Sequence, residues 1–296
     1  MGRKAVRGMS MRILLTGKNG QVGFELQRAL APLGAIVAVG QSECDLSNEQ
    51  ALRHLVRNVH PDIIVNQAAY TAVDKAESDT DNAFAINGSA PEILGEEAAR
   101  LGALFVHYST DYVFDGAKQT CYTEDDLPNP QSVYGKSKLA GERALQQSME
   151  QYIVFRTSWV FGAHGSNFAK TMLKLAQERT NLSIVSDQFG APTSASLIAD
   201  VTAQILGQYQ HKDRQEFPFG LYNLVAAGET NWCDYAKTVV TAVRQADKAL
   251  WLEPKDPLPA VRPANSRLDT HKIRETFGLC LPVWQDGLSH VLQQIL

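Results

Sequence analysis

From Met11 onward the chain alternates short apolar runs with stretches of helical period. The runs "RILLTG", "AIVAVG", "DIIVNQAA", "LFVHYSTD" and "YIVFRTSW" are apolar almost throughout, as strands buried on both faces are. Between them lie "VGFELQRALAPLG", "ALRHLVRNVH", "EILGEEAARLG" and "VYGKSKLAGERAL", with the apolar spacing of amphipathic helices. Repeated strand–helix alternation predicts an α/β fold, a doubly wound parallel sheet over residues 11–162. Past Gly162 the rhythm loosens into "NFAKTMLKLAQE", "LSIVSDQFGAPT", "LIADVTAQILGQ", "LYNLVAA", a helix from Thr230 and the proline-rich "EPKDPLPAVRPANSRLD". Residues 163–296 therefore read as a smaller lobe on the carboxyl edge of the sheet, with some segments returning to it.

Composition narrows the function. A chain of 296 residues with 44% hydrophobic content can bury a sizeable core. Its net charge of -4 comes from interspersed acids and bases, which argues against nucleic acid or a membrane surface as partner. Cys44, Cys121, Cys233 and Cys280 are far apart with no C-x-x-C pair, so the expectation is reduced thiols and a cytoplasmic location. No apolar run approaches the roughly 20 residues that cross a bilayer. Residues 1–10, "MGRKAVRGMS", read as a flexible leader.

"LLTGKNGQVG" places Gly17, Gly20 and Gly23 directly after the first strand and directly before a helix. Glycines there let backbone approach a pyrophosphate, whose charge then meets free N–H groups at the positive helix end. A dinucleotide cofactor is the expectation. The end of the second strand, "AVGQSECDL", offers neither an acid for a ribose 2′-OH nor a base for a 2′-phosphate immediately. Asp45 and Leu46 are candidates for the adenine pocket, and Asp45 is equally a candidate helix cap. Lys18 and Arg28 add positive charge on that side. An exposed lysine contributes no more than about 1 kcal/mol, so NADH and NADPH are both expected to serve, within about tenfold of each other.

In "NPQSVYGKSKLAGERAL", Tyr134 and Lys138 stand at i, i+4 and so share one helix face. A phenol titrates near 10, and bringing it near 7 requires roughly 4 kcal/mol. A lysine ammonium at about 4 Å, at an effective dielectric near 20, supplies about that much. The same ammonium can hold the hydroxyls of a nicotinamide ribose. The preceding strand ends at Ser109, Thr110 and Asp111, at the edge where ligands of parallel sheets bind. One hydroxyl there can steady a developing alkoxide while Tyr134 protonates it; Ser109 and Thr110 point to opposite faces, so only one serves.

The glycine spacing resembles that of extended short-chain dehydrogenases/reductases. Further, "GKNGQVG", "NQAAYTAVDKAE", "HYSTDYVFDG", "VYGKSKLAGE", "FRTSWVFG", "DQFGAPT" and "RPANSRLD" resemble, in order and spacing, the dTDP-4-dehydrorhamnose reductase family across residues 11–296. The resemblance implies a Rossmann-type doubly wound sheet with a C-terminal substrate-binding lobe, and NADH- or NADPH-dependent reduction of the C4 carbonyl of dTDP-4-dehydro-L-rhamnose for cell-surface polysaccharide synthesis. It carries the catalytic hydroxyl to Thr110, the acid/base to Tyr134 and its partner to Lys138. It carries cofactor contacts to Gly20, Gln21, Val22, Ala68, Ala69, Tyr70 and Tyr108, and substrate contacts to Asp111 and Trp159. Arg262 and Asn265 are candidates for the nucleotide diphosphate or for anchoring their own loop, and Asn167 for a site contact or a helix cap.

Some members of that family bind Mg²⁺ through acids at a dimer contact. Glu25 matches one acid, but Ser196 stands where another is sought, so no metal is expected and homodimerisation stays open. Two other readings remain beside the reductase: a sugar-nucleotide epimerase or dehydratase of the same fold, and a non-catalytic NAD(P)-binding regulatory subunit.

Overall fold

The computed structural model describes residues 11–179, 181–242 and 262–296, with backbone alone at 251–253. The expected leader at 1–10 and residues 254–261 of the proline-rich stretch lie outside the described residues.

Six strands form one parallel sheet: β1 (Met11–Thr16), β2 (Gly34–Val39), β3 (Ile63–Asn66), β4 (Leu104–Thr110), β5 (Tyr152–Thr157) and β6 (Gly220–Asn223). Their order across the sheet is β6-β5-β4-β3-β1-β2. Ile13, Leu14 and Leu15 are all wholly buried, because helices cover both faces and successive side chains of β1 enter both cores. The helices α1 (Gln21–Leu30) and α6 (Ala195–His211) pack on one face through Leu26, Leu30, Ile198 and Ile205. The other face takes α2 (Glu49–Val59), α3 (Ala90–Leu101) and α4 (Val133–Ser148) through Leu52, Val56, Leu94 and Leu145.

Local chemistry sets the helix ends. Asn48 caps α2 by accepting from the Ala51 N–H at 3.1 Å, and Ser132 caps α4 by accepting from the Gly135 N–H at 3.1 Å. The helix α3 carries Pro91 in its first turn and stops at Gly102, whose φ of 63° suits glycine.

Beyond β5 the chain builds a second core from α5 (Phe168–Glu178), α7 (Trp232–Thr241) and, after the short helix α8 (His271–Phe277), α9 (Trp284–Ile295). The two cores do not divide at residue 162. The helix α6 joins the sheet's own core, as do Ile273 and Phe277 of α8, while β6 extends the sheet beside β5. Strand order reverses between β1 and β3, and the crevice of a doubly wound sheet opens at the carboxyl ends of such a pair.

Candidate active site

At the end of β1, Gly17 has φ +75°, and a Cβ there would stand 2.7 Å from the Ala68 nitrogen at the end of β3. A Cβ on Gly23 would stand 2.0 Å from the Gly17 carbonyl oxygen. Only glycines let α1 sit this close to β1 and β3. The helix begins at Gly20 with no side-chain cap and no acid in its first turn, so Gln21 and Val22 present a helix N-terminus suited to a pyrophosphate. The Ala68 N–H donates to Thr16 Oγ1 at 3.3 Å, and Ala68 and Ala69 form the facing wall with small side chains.

The second strand's end differs from expectation. Glu43 accepts from the Gly40 N–H at 2.9 Å and from the Ser42 hydroxyl at 3.0 Å, and forms an ion pair with Lys18. These partners hold its carboxyl down at about 2, with Lys18 the largest cause. An acid is therefore present at this edge, three residues beyond the glycine, and Lys18 is neutralised by it. Arg28 is spent on Glu25 and Asp200 along the contact of α1 with α6. Leu46 is buried in the core, and Asp45 accepts from the Ser47 N–H and hydroxyl rather than capping α2. Asp45 is therefore not the cap of α2: the loop folds back on itself through hydrogen bonds spanning two or three residues, which apolar periodicity does not report.

Across the crevice, Thr110 ends β4 with its hydroxyl beside the Tyr134 phenol of α4. Thr110 Oγ1 also donates to Asp111 Oδ1 at 3.0 Å and accepts from the Tyr112 N–H at 3.2 Å. The neighbouring Ser109 hydroxyl is buried without a hydrogen-bond partner. Lys138 is 2% exposed and reaches inward to β4, donating to the Tyr108 carbonyl at 2.6 Å and contacting His107 Nε2 at 3.2 Å.

The expected tuning of the phenol by this lysine is thus corrected. Spacing at i, i+4 aligns the two Cβ atoms, but the long lysine chain turns its ammonium toward the strand. Burial, followed by the charge of Asp111, pushes the Tyr134 phenol up to about 12, against a lowering by the Thr110 hydroxyl. Burial also brings the Lys138 ammonium down to about 8, opposed by Glu142 one helical turn further on. Glu142 is itself held by Arg156 in a buried bidentate pair at 2.6 and 3.0 Å. Asp111, 3% exposed with Oδ2 unpartnered, is raised to about 6 by burial, against the hydroxyls of Ser266 and Thr110.

Tyr108 turns its side chain to the opposite face of the sheet, where its hydroxyl meets Thr202 Oγ1 at 2.9 Å. Strand alternation sends it into the core against α6, and only its backbone carbonyl serves the site. Tyr70 is fixed through its backbone by Asn87, whose Oδ1 accepts from the Tyr70 N–H at 2.8 Å while Nδ2 donates to the Tyr70 carbonyl and to Ser137 Oγ, both at 3.0 Å. Asn87 lies in a π-helical turn, Ala85–Ser89, and ties the β3 edge to the helix that carries Tyr134. Nothing in its sequence neighbourhood marked it.

On the far wall Trp159 adopts φ 47°, a strained value for a bulky residue, and stacks on Trp232 at 3.8 Å between ring centroids. Its ring lies against Gly190, where a Cβ would be 2.8 Å away. Asn167 caps α5 through the Lys170 N–H at 3.1 Å, and its Nδ2 also donates to Gln21 Oε1 at 3.0 Å, joining the second lobe to the first turn. Arg262 forms a two-point pair with Asp74 at 2.8 and 3.2 Å. Asn265 has the anchoring role: its Nδ2 donates to the Lys118 and Thr120 carbonyls, and Oδ1 accepts from Arg267. Those bonds use both amide hydrogens, so Asn265 has no donor left for a diphosphate. Among the described residues no cluster of three or more metal-binding side chains occurs, and no helix is long and apolar enough to cross a membrane.

A glycine cradle facing a helix N-terminus, and a Thr-Tyr-Lys group at the neighbouring strand ends, define a Rossmann-type NAD(P)H-dependent oxidoreductase. Residues 11–296 match the family described as RmlD substrate binding domain, and the chain belongs to this family. It is 48% identical to the dTDP-4-dehydrorhamnose reductase of Escherichia coli K12, over 96% of this chain and 98% of that one. It is 45% identical to the enzyme of the same name from Burkholderia thailandensis, over 97% and 99% of the two chains. The crystal structure of dTDP-4-dehydrorhamnose reductase from Bacillus anthracis in complex with NADP superposes with a TM-score of 0.87 at 32% identity, covering 97% of this chain and 100% of that one.

Proposed function

We propose that this chain reduces the C4 carbonyl of dTDP-4-dehydro-L-rhamnose, using NADH or NADPH, to give dTDP-L-rhamnose. The observation that carries the reading is the placement of Thr110 beside the Tyr134 phenol at the carboxyl end of β4, with Lys138 buried beneath. The crevice fits a nicotinamide dinucleotide, because Gly17 and Gly23 clear space that any Cβ would fill. Gln21 and Val22 would hold its pyrophosphate and Lys138 its ribose. When bound, it supplies the hydride.

Tyr134 then acts as the acid. Its raised affinity for the proton keeps the phenol neutral at physiological pH, the state a donor requires, and an alkoxide is a much stronger base than a phenolate. The Thr110 hydroxyl turns from Asp111 to the carbonyl oxygen and shares the developing charge. Trp159, just beyond β5, and Arg262 are the candidates for contacts with the sugar and the diphosphate. Four free cysteines and a dependence on NAD(P)H suit a cytoplasmic location.

The test is consumption of NADH, and separately NADPH, with the dTDP-4-keto sugar generated in place. One equivalent oxidised per sugar is expected. Catalytic exchange at the sugar without net oxidation would identify an epimerase, and binding without turnover a regulatory subunit.

A further inference from the structure

One row of the sheet breaks its apolar pattern. Thr16, Asn66 and His107 stand in register on β1, β3 and β4, directly beyond the apolar row Leu15, Val65, Val106. All three are buried, at 0%, 0% and 1% exposure. On β5 the register returns to an apolar residue, Val154, and the lysine of α4 enters instead. Thr16 Oγ1 donates to Asn66 Oδ1 at 2.6 Å, the Asn66 amide lies 3.2 Å from His107 Nδ1, and Lys138 Nζ lies 3.2 Å from Nε2. Four polar groups in succession cost desolvation that an apolar row would not, and the proposed chemistry uses only the last of them.

The chemistry fixes the direction of the last bond. An ammonium only donates, so Nε2 accepts and the proton of the neutral ring sits on Nδ1, facing Asn66, whose backbone carbonyl takes it. Lys138 has three N–H bonds, of which the Tyr108 carbonyl and His107 Nε2 take two.

We propose that His107 is the positioning residue of Lys138: with the Tyr108 carbonyl it fixes the ammonium so that one N–H remains directed at the bound cofactor, and the Asn66 backbone, on the Nδ1 side of the ring, sets the tautomer that does this. The proposal rests on the reductase reading for its ligand, but not on the identity of the sugar.

Glutamine and asparagine separate the roles, since a glutamine Oε1 can occupy the Nε2 position whereas an asparagine reaches only Nδ1. NADPH affinity is read by nucleotide fluorescence without sugar, alongside turnover and thermal melting. His107→Asn should lose roughly tenfold or more in both NADPH affinity and kcat, the effect of one hydrogen bond to a charged group. His107→Gln should stay within about threefold of the parent, and His107→Asn should add nothing in a Lys138→Met background, because both act on one interaction. Parent-like affinity and turnover in His107→Asn would overturn the assignment. So would a loss in His107→Gln as large as that in Lys138→Met, or additive losses in the double variant. A parent that binds neither NADH nor NADPH would overturn the functional reading as well.

Discussion

The two ends of the cofactor crevice are built from opposite materials. The pyrophosphate end is backbone: Gly17, Gly20 and Gly23 work through the absence of Cβ atoms, and their neighbours in space are peptide atoms and the side chain of Gln67. The reactive end is side chains, with Thr110, Asp111 and Lys138 each no more than 5% exposed. Errors of geometry are punished at the first end, whereas burial sets protonation at the second. A substitution at the glycine end should therefore act through fit and be insensitive to pH, and one at the reactive end should act through charge.

The largest effect should come from Tyr134→Phe. Loss of the acid should lower kcat by about 10² to 10⁴-fold with NADPH affinity unchanged, as measured by single-turnover kinetics and fluorescence titration. A turnover equal to the parent's would remove Tyr134 from the mechanism.

Asp111 gives a stability test. Its carboxyl is raised from 3.8 to about 6, so the folded protein binds the proton more tightly than the unfolded chain. The ionised group then weakens the fold by up to about 3 kcal/mol above pH 6, and that cost disappears as pH falls toward 4. Urea unfolding of parent and Asp111→Asn at pH 8 and pH 4 should show the variant's relative stability declining toward the lower pH. A constant difference between the two would place the unfolded and folded carboxyl affinities together.

Gly23→Ala is the counterpart at the glycine end. A Cβ 2.0 Å from the Gly17 oxygen must push α1 off β1, at a cost of about 1–3 kcal/mol in stability and a matching loss of NADPH affinity. The ratio of variant to parent affinity should be the same at pH 6 and pH 8.

Lys138 supplies the reverse pattern. With its ammonium brought down to about 8 and the Tyr134 phenol up at about 12, kcat/KM should fall about tenfold per pH unit above pH 8 through loss of the lysine's charge. Lys138→Arg should shift this limb out of the assay range, since guanidinium does not titrate there. An unshifted limb would assign it elsewhere.

The smallest effect concerns cofactor choice. The Lys18–Glu43 pair carries no net charge at this edge and so favours neither a ribose hydroxyl nor a 2′-phosphate strongly, and NADH and NADPH should differ by no more than about tenfold in kcat/KM. Glu43→Gln should move the ratio a few-fold toward NADPH. A thousandfold preference in the parent would reveal a selective contact elsewhere.

Much of this was written along the chain. The apolar runs determined five of the six sheet strands; β1, β3, β4 and β5 are buried on both faces and have no polar alternation to show, whereas β2, expected to be buried likewise, is only half-buried because it is the edge of the sheet. Gly17, Gly20 and Gly23 determined the first turn, since the φ of Gly17 and the clearance at Gly23 exclude any other side chain. Helix periodicity placed Tyr134 and Lys138 on one face. Where their head groups went was decided only by tertiary structure. Lys138 finds its acceptors on β4, about 30 residues away, and Asn265 spends its amide on a loop nearly 150 residues away. Tyr108 faces Thr202 across the sheet, and Glu43 claims Lys18 from another loop. Backbone shape follows from local sterics, which a short stretch of sequence contains. Proton affinity and hydrogen-bond direction follow from burial and from partners distant in sequence, which come into place only when the sheet is assembled.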